Sequence, residues 1–126
     1  MTDALAVELL AFAEALADES RAMLRQAARA ALSIDIKADA SFVTAADRAV
    51  ETRLRERIEA SYPDHGILGE EHGSRDLDAA FVWVIDPIDG TANFVRGIPA
   101  WCVVIACARK GAAEIGVIHE PSTGET

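Results

Sequence analysis

The segment from Phe81 to Thr91 constrains the fold more strongly than any other part of this chain. It opens with an apolar run, Phe81 to Ile85 (FVWVI), and continues as Asp86 to Thr91 (DPIDGT). An apolar run of this length, rich in Val and aromatic residues, is typical of a buried strand. The strand would bring two carboxylates to the place where it leaves the core, and Pro87 would restrict the backbone between them.

The residues around Asp86 and Asp89 fit either a ligand site or an ordinary polar turn, and the short D-x-x-D pattern by itself favours the turn. Gly90 permits a tight turn, and Thr91 can open a helical turn whose free N–H groups face the same spot as the carboxylates. Carboxylates, a hydroxyl and anion-binding amides together suit a divalent metal that bridges to a phosphate. The alternative is a polar turn at a strand end, because Asp, Pro and Gly are common turn formers.

Two helices are predicted in the first half of the chain. Leu5, Leu9, Phe12 and Leu16 recur at helical spacing and predict a long amphipathic helix from Thr2 to Ala31. The residues from Ser33 to Phe42 alternate in polarity and predict an extended segment.

The second predicted helix begins at Thr44, which would be its N-cap. Asp47 stands three residues later, as in a capping box. Val50, Leu54 and Ile58 form its apolar stripe, and the sequence from 62 to 64 (YPD) would end it.

Three later apolar runs predict strands, at 81–85, 101–108 and 114–119, and the last two should form an antiparallel hairpin. The predicted fold class is therefore α+β, with two long helices packed on a largely antiparallel sheet.

Composition excludes several classes of protein. The chain has 12 Lys and Arg residues against 21 Asp and Glu residues, so it repels nucleic acids and anionic membranes. No apolar run is long enough to span a bilayer, and acidic residues interrupt the N-terminal apolar stretch, which argues against a signal peptide. Cys102 and Cys107 should lie on opposite faces of one strand as reduced thiols. These features predict a cytoplasmic protein with no nucleic-acid or membrane partner.

Three segments carry a family resemblance. Residues 86–94 (DPIDGTANF) resemble the signature of the inositol monophosphatase family, the magnesium-dependent, lithium-sensitive sugar and polyol phosphatases. Residues 42–51 (FVTAADRAVE) are similar to the family's V-T-x-x-D-x-x-x-E segment, and residues 62–71 (YPDHGILGEE) to its G-E-E segment. The resemblance extends from about Leu5 to the end of the chain.

The resemblance implies that this chain is only part of such an enzyme. Residues 1–126 correspond to the N-terminal metal- and phosphate-binding domain, the N-terminal half of a layered α/β sugar-phosphatase fold. The C-terminal half, with a W-D motif whose aspartate completes the metal site, has no counterpart here, because no aspartate follows Asp89. We therefore expect a truncated product or a fragment that is incomplete as an enzyme, and a homodimer when the protein is full length.

The resemblance also implies a set of metal ligands. Glu70, Asp86, Asp89 and the Ile88 carbonyl would hold Mg²⁺, with two or three ions in the complete enzyme. Hard oxygen ligands suit Mg²⁺, which keeps several waters. The residues that would contact the phosphorylated substrate are Glu70, Asp89, Gly90 and Thr91.

A catalytic pair, Asp47 and Thr91, is implied in the same way. Asp47 would accept a hydrogen bond from Thr91, which would orient the attacking water for in-line displacement at phosphorus. On local grounds alone Asp47 is a capping residue, and the two roles are compatible.

The implied substrate is a small polyol or sugar phosphate, with inositol monophosphate favoured because Asn93 and Phe94 resemble inositol monophosphatases more than histidinol-phosphate phosphatases. Histidinol phosphate, fructose 1,6-bisphosphate and phosphoadenosine phosphate stay open. A different class of function also stays open: a non-catalytic remnant that binds metal or phosphate and needs a partner chain.

Overall fold

The computed structural model describes residues 2–31, 36–90, 93–94 and 96–126. Within these ranges it describes every side chain except those of residues 28–31 and 36–44. Two helices come first, α1 (Asp3–Ala31) and α2 (Ile36–Ser61). Five strands follow: β1 (Gly66–Gly69), β2 (Gly73–Arg75), β3 (Phe81–Asp89), β4 (Cys102–Arg109) and β5 (Ala112–His119). The predicted α+β class, with two long helices on a sheet, is confirmed.

Helix α1 forms where the apolar spacing predicts it. The Thr2 hydroxyl accepts a hydrogen bond from the Leu5 N–H at 3.2 Å, which satisfies one of the free donors of the first turn. Leu9, Ala13 and Leu16 lie on one stripe and are fully buried. In the part of the chain that the structure describes, no helix carries an apolar stretch that would cross a bilayer.

Helix α2 begins earlier than the sequence predicted. It starts at Ile36, so the extended conformation predicted for 33–42 is wrong over 36–42, and 33–35 lie outside the described residues. A short alternation of polar and apolar residues is a weak strand signal, and the alanines in this stretch favour a helix. The predicted capping roles of Thr44 and Asp47 are therefore wrong, because both residues lie inside the helix. The end at Ser61, just before Tyr62 and Pro63, agrees with the prediction.

The sheet has the strand order β2-β1-β3-β4-β5. Strands β1 and β3 are parallel, and the other three pairs are antiparallel, so the prediction of a largely antiparallel sheet is confirmed. The predicted β4–β5 hairpin is also confirmed, and its turn uses Lys110 and Gly111 at positive φ. The short strands β1 and β2 were not predicted as strands.

The core lies between the helices and one face of the sheet. Helix α1 packs against α2, β4 and β5, and α2 packs against β3. Strand burial alternates accordingly: Val103, Ile105 and Cys107 are buried, whereas their neighbours are partly exposed. Cys102 and Cys107 are both free thiols on opposite faces of β4, as predicted.

Candidate active site

The parallel pairing of β1 with β3 brings the first two acidic residues together. Gly69, the last residue of β1, pairs with Ile85 of β3. The next residue on each strand is acidic, Glu70 on one and Asp86 on the other. Two parallel strands run in the same direction, so the residues that follow a paired position lie side by side, and Glu70 is close enough to raise the pKa of Asp86.

An irregularity in β3 sets the position of the second aspartate. Pairing with β4 runs regularly to Asp86, skips two residues, and resumes where Asp89 pairs with Cys102. Pro87 has no N–H to donate, which accounts for the interruption of the ladder. Asp89 is exposed, yet its charge lies near enough to raise the pKa of Asp86. The Cys102 thiol lies 3.9 Å from its Oδ2 atom.

Burial and like charge perturb both Asp86 and Asp47. Burial first, then the adjacent Glu70, raises the pKa of Asp86 to about 6, although an N–H bond from Ile88 partly offsets the rise. Burial first, then the charges of Glu71 and Glu70, raises the pKa of Asp47 to about 7. Helix α2 therefore brings Asp47 to the same acidic group. We call Asp47, Glu70, Asp86 and Asp89 the acidic cluster.

The acidic cluster offers oxygen ligands of the kind that Mg²⁺ prefers. The Oδ1 atoms of Asp47 and Asp86 are buried and have no hydrogen-bond partner. Such orphaned acceptors are costly unless a ligand satisfies them. Among the described residues, no three acidic, His or Cys side chains are arranged to enclose a metal. The adjacent pair of Glu70 and Asp86 nevertheless fits Mg²⁺, which is commonly bound by one or two carboxylates and several waters.

The tight turn after Asp89 forms as predicted at Gly90. Its φ is +93°, and a Cβ there would lie 3.0 Å from the Ala100 carbonyl oxygen, so only glycine suits this position. The carbonyl of Gly90 accepts hydrogen bonds from the N–H groups of Asn93 and Phe94 at 3.0 and 3.1 Å. Asn93 also donates to the Ala100 carbonyl at 2.8 Å.

The predicted roles of Thr91 and Ile88 are not tested by the structure. Thr91 lies outside the described residues, so its proximity to Asp47 stays a prediction. Ile88 is buried with 4% of its surface exposed, and the role of its carbonyl as a metal ligand stays a prediction.

Glu51 belongs to one of the three family-like segments, but no role was predicted for it from sequence. It is fully buried, and its carboxylate accepts the N–H groups of Glu71 at 2.9 Å and His72 at 2.7 Å. Asp47, Glu51 and Arg55 recur every four residues, which places them on one face of α2. This four-residue spacing is the sequence signal that could have placed Glu51 on the same helix face as Asp47.

The known proteins that resemble this chain point to one family. Residues 6–126 match the model of the inositol monophosphatase family. Histidinol-phosphatase of Mycobacterium tuberculosis is 45% identical over 91 residues, which cover 72% of this chain and 35% of that protein. Nus factor SuhB of Pasteurella multocida is 44% identical over 95 residues, which cover 75% of this chain and 36% of that protein. The chain thus spans about a third of the length of these relatives.

A solved structure supports the same conclusion. An inositol monophosphatase from Anabaena superposes with a TM-score of 0.79 at 34% identity, over 93% of this chain and 41% of that one. Because the family model matches nearly the whole chain and the fold agrees, this chain belongs to the inositol monophosphatase family.

Proposed function

We propose that this chain supplies the metal-holding part of a phosphomonoester hydrolase that acts on a small polyol or sugar phosphate. The observation that carries the proposal is the parallel register of β1 and β3, which places Glu70 beside Asp86, together with a buried Asp86 oxygen that has no partner. The chain spans about a third of its curated relatives, so the activity proposed is that of the whole protein. The assignment of residues 1–126 to an N-terminal metal- and phosphate-binding domain is part of the same proposal.

Glu70, Asp86, Asp89 and the Ile88 carbonyl would hold Mg²⁺, with two or three ions in the complete enzyme. When bound, Mg²⁺ lowers the pKa of water and offsets negative charge on the phosphoryl oxygens. The acidic cluster would gain from this because a cation relieves the repulsion among its carboxylates. Glu70 and Asp89 would also lie next to the substrate.

The remaining steps belong to the side chains and backbone of this chain. Thr91 would orient the attacking water, and Asp47 would accept a hydrogen bond from the Thr91 hydroxyl and assist removal of the proton. The N–H groups of Gly90 and Thr91 would stabilise the charge on the phosphoryl oxygens. Water itself would be the nucleophile in this in-line displacement, so no phosphoenzyme would form.

Inositol monophosphate is the favoured substrate on the form of residues 91–94 (TANF). One relative is named a histidinol-phosphatase and one structural neighbour an inositol monophosphatase, so histidinol phosphate is the main competitor. We also propose a cytoplasmic homodimer without a nucleic-acid or membrane partner. The net charge of −9 supports the absence of polyanionic partners, because it repels them.

Hydrolysis by the chain and by a chimera tests this function. In the chimera, the C-terminal part of an inositol monophosphatase relative continues the 126-residue chain. With Mg²⁺ present, we expect the chimera to release phosphate from inositol monophosphate and the chain alone to release very little, because the last carboxylate of the metal site comes from the added part.

Each outcome separates the candidate functions. Faster turnover of histidinol phosphate would replace the favoured substrate and keep the reaction. A folded chimera that hydrolyses none of these phosphomonoesters would favour the non-catalytic metal- or phosphate-binding alternative. Robust hydrolysis by the chain alone would contradict the proposed division of the metal site.

A further inference from the structure

Glu51 holds a buried negative charge that the proposed mechanism does not use. The residue is fully buried, and a buried carboxylate is costly unless it is paired and hydrogen-bonded. Here Oε1 accepts the Glu71 N–H, and Oε2 accepts both the His72 N–H and the Arg55 Nε–H at 3.1 Å. Both oxygens are thus engaged within the protein, so Glu51 does not belong to the group of metal ligands.

These contacts fix the turn between β1 and β2 to helix α2. Arg55, which donates to Glu51 through Nε, also donates to the Gly73 carbonyl through Nη2. His72 Nε2 lies 3.1 Å from the Thr52 hydroxyl and 3.2 Å from the Arg48 carbonyl. Charge-assisted hydrogen bonds of this kind are stronger than neutral ones and impose a geometry. The turn is therefore held along its length by one face of α2.

The same carboxylate contacts the chain on both sides of Glu70. After Glu70, it accepts the Glu71 N–H. Before Glu70, it lies against Gly69, where an added Cβ would be only 2.5 Å from the Glu51 carboxyl carbon. No open space exists for that Cβ unless the carboxylate moves and loses its hydrogen bonds. Glycine is therefore required at position 69 because the Glu51 carboxylate packs closely against the backbone there, and not because of an unusual φ.

We propose that Glu51 is a positioning residue that holds the backbone at residue 70 so that the Glu70 carboxylate meets Asp86 and completes a divalent-cation site. The inference rests on the proposed function, because it assigns Glu51 to the same metal site. Groups that orient a metal ligand without touching the metal typically change affinity by about 10–100-fold when they are lost. We expect an effect of that size.

Two substitutions, each with a matched control, test the proposal. Glu51→Gln keeps the shape of the side chain but places an NH₂ group opposite one of the N–H donors. Its control is Glu56→Gln, the same change at an exposed position of α2. Gly69→Ala displaces the Glu51 carboxylate sterically, and its control is Gly116→Ala in β5, where nothing lies within 4 Å of the added Cβ.

Two measurements on the chain separate positioning from stability. The first is amide hydrogen exchange at Glu71 and His72, with the Val84 amide of β3 as a reporter of global unfolding. The second is Mn²⁺ affinity by titration calorimetry, with Asp86→Asn as the variant that removes a proposed ligand. We expect Glu51→Gln to speed exchange at Glu71 or His72 at least tenfold relative to Val84 and to weaken Mn²⁺ binding by about 10–100-fold.

The outcomes distinguish this inference from the function on which it rests. If the unsubstituted chain binds no Mn²⁺, the metal site itself is wrong and the positioning role fails with it. If the chain binds Mn²⁺ and Glu51→Gln binds it as well as Glu56→Gln does, only the positioning role is wrong. If Glu51→Gln does not fold, Gly69→Ala decides: affinity equal to that of Gly116→Ala would overturn the proposal, and a tenfold loss with intact Val84 protection would support it.

Discussion

The apolar core and the acidic cluster lie next to each other and follow opposite physical rules. In the core, Leu16, Ile58 and Trp83 are fully buried, and the indole N–H of Trp83 donates to His65 at 3.0 Å. In the acidic cluster, like charges crowd together, and two buried carboxylate oxygens have no partner. Perturbed and unsatisfied groups of this kind are concentrated at functional sites. The burial of the core stabilises the fold, whereas the crowding of the acidic cluster is what a proposed cation site would require.

This difference predicts that substitutions in the two regions have separable effects. A change in the core should alter the free energy of unfolding and leave the chemistry of the folded protein intact. A change in the acidic cluster should alter catalysis or metal binding and leave stability unchanged or improved, because it removes repulsion. Three predictions test the separation, beginning with the largest effect.

Loss of the proposed catalytic pair should have the largest effect. In the chimera, Thr91→Ala should lower kcat by about 10²–10⁴-fold, the range for loss of a positioned proton-transfer group, with nearly unchanged Mg²⁺ affinity. Thr91→Ser should retain far more activity because the hydroxyl remains. Steady-state kinetics at saturating Mg²⁺ measure both.

Asp47→Asn extends this test to the other member of the pair. Asp47 lies inside α2 and not at its start, so loss of a helix cap cannot explain a slow variant. We expect a well-folded protein with reduced kcat. A normal kcat in Asp47→Asn would remove this residue from the mechanism.

Truncation in the core should have the next largest effect, on stability alone. Leu16→Ala should lower the free energy of unfolding by about 2–5 kcal/mol, because Leu16 is fully buried. Leu10→Ala, on the same helix but 40% exposed, is the matched control and should cost much less. Urea unfolding gives the free energies, and Mn²⁺ titration of the folded variants should give unchanged affinity. Weaker Mn²⁺ binding by folded Leu16→Ala would break the separation between the two regions.

The smallest expected effect concerns the pH dependence of stability. Here a substitution in the acidic cluster should raise the free energy of unfolding, whereas truncation in the core should lower it. In metal-free protein, the pKa of Asp47 rises from 3.8 to about 7 and that of Asp86 from 3.8 to about 6 on folding. Both raised values favour the folded state fully below pH 3.8, and this contribution is lost as the pH rises through about 6 and 7. As the pH rises from 3.8 to about 6, Asp86→Asn should therefore gain stability relative to the unsubstituted chain, by about 1 kcal/mol or less because water screens the charges.

Urea midpoints measured in EDTA at several pH values check this prediction. Asp78→Asn, at an exposed position, is the control and should show no such gain. Added Mg²⁺ should stabilise the unsubstituted chain and not Asp86→Asn. A constant difference between Asp86→Asn and the unsubstituted chain across this pH range would contradict the crowding of the acidic cluster.

Much of the fold was predictable from sequence, whereas the roles of the candidate site residues stay predictions. Periodicity and the backbone restrictions of single residues predict five features: helix α1, the end of α2, strand β3, the β4–β5 hairpin and the turn at Gly90. Such signals are local, since they depend on neighbours within a few positions of the chain. The start of α2 was predicted wrongly because a short alternating stretch does not distinguish a strand from an alanine-containing helix.

The contacts within the site were decided by the tertiary structure alone. Nothing in the sequence states that Gly69 pairs with Ile85, yet this parallel register is what places Glu70 beside Asp86. Likewise, Glu51 is an ordinary helical glutamate until α2 packs over the turn after β1 and both carboxylate oxygens find donors there. The sequence determined which residues carry carboxylates, and the packing of distant segments decided which of these carboxylates lie together, because register and burial depend on residues far apart in the chain.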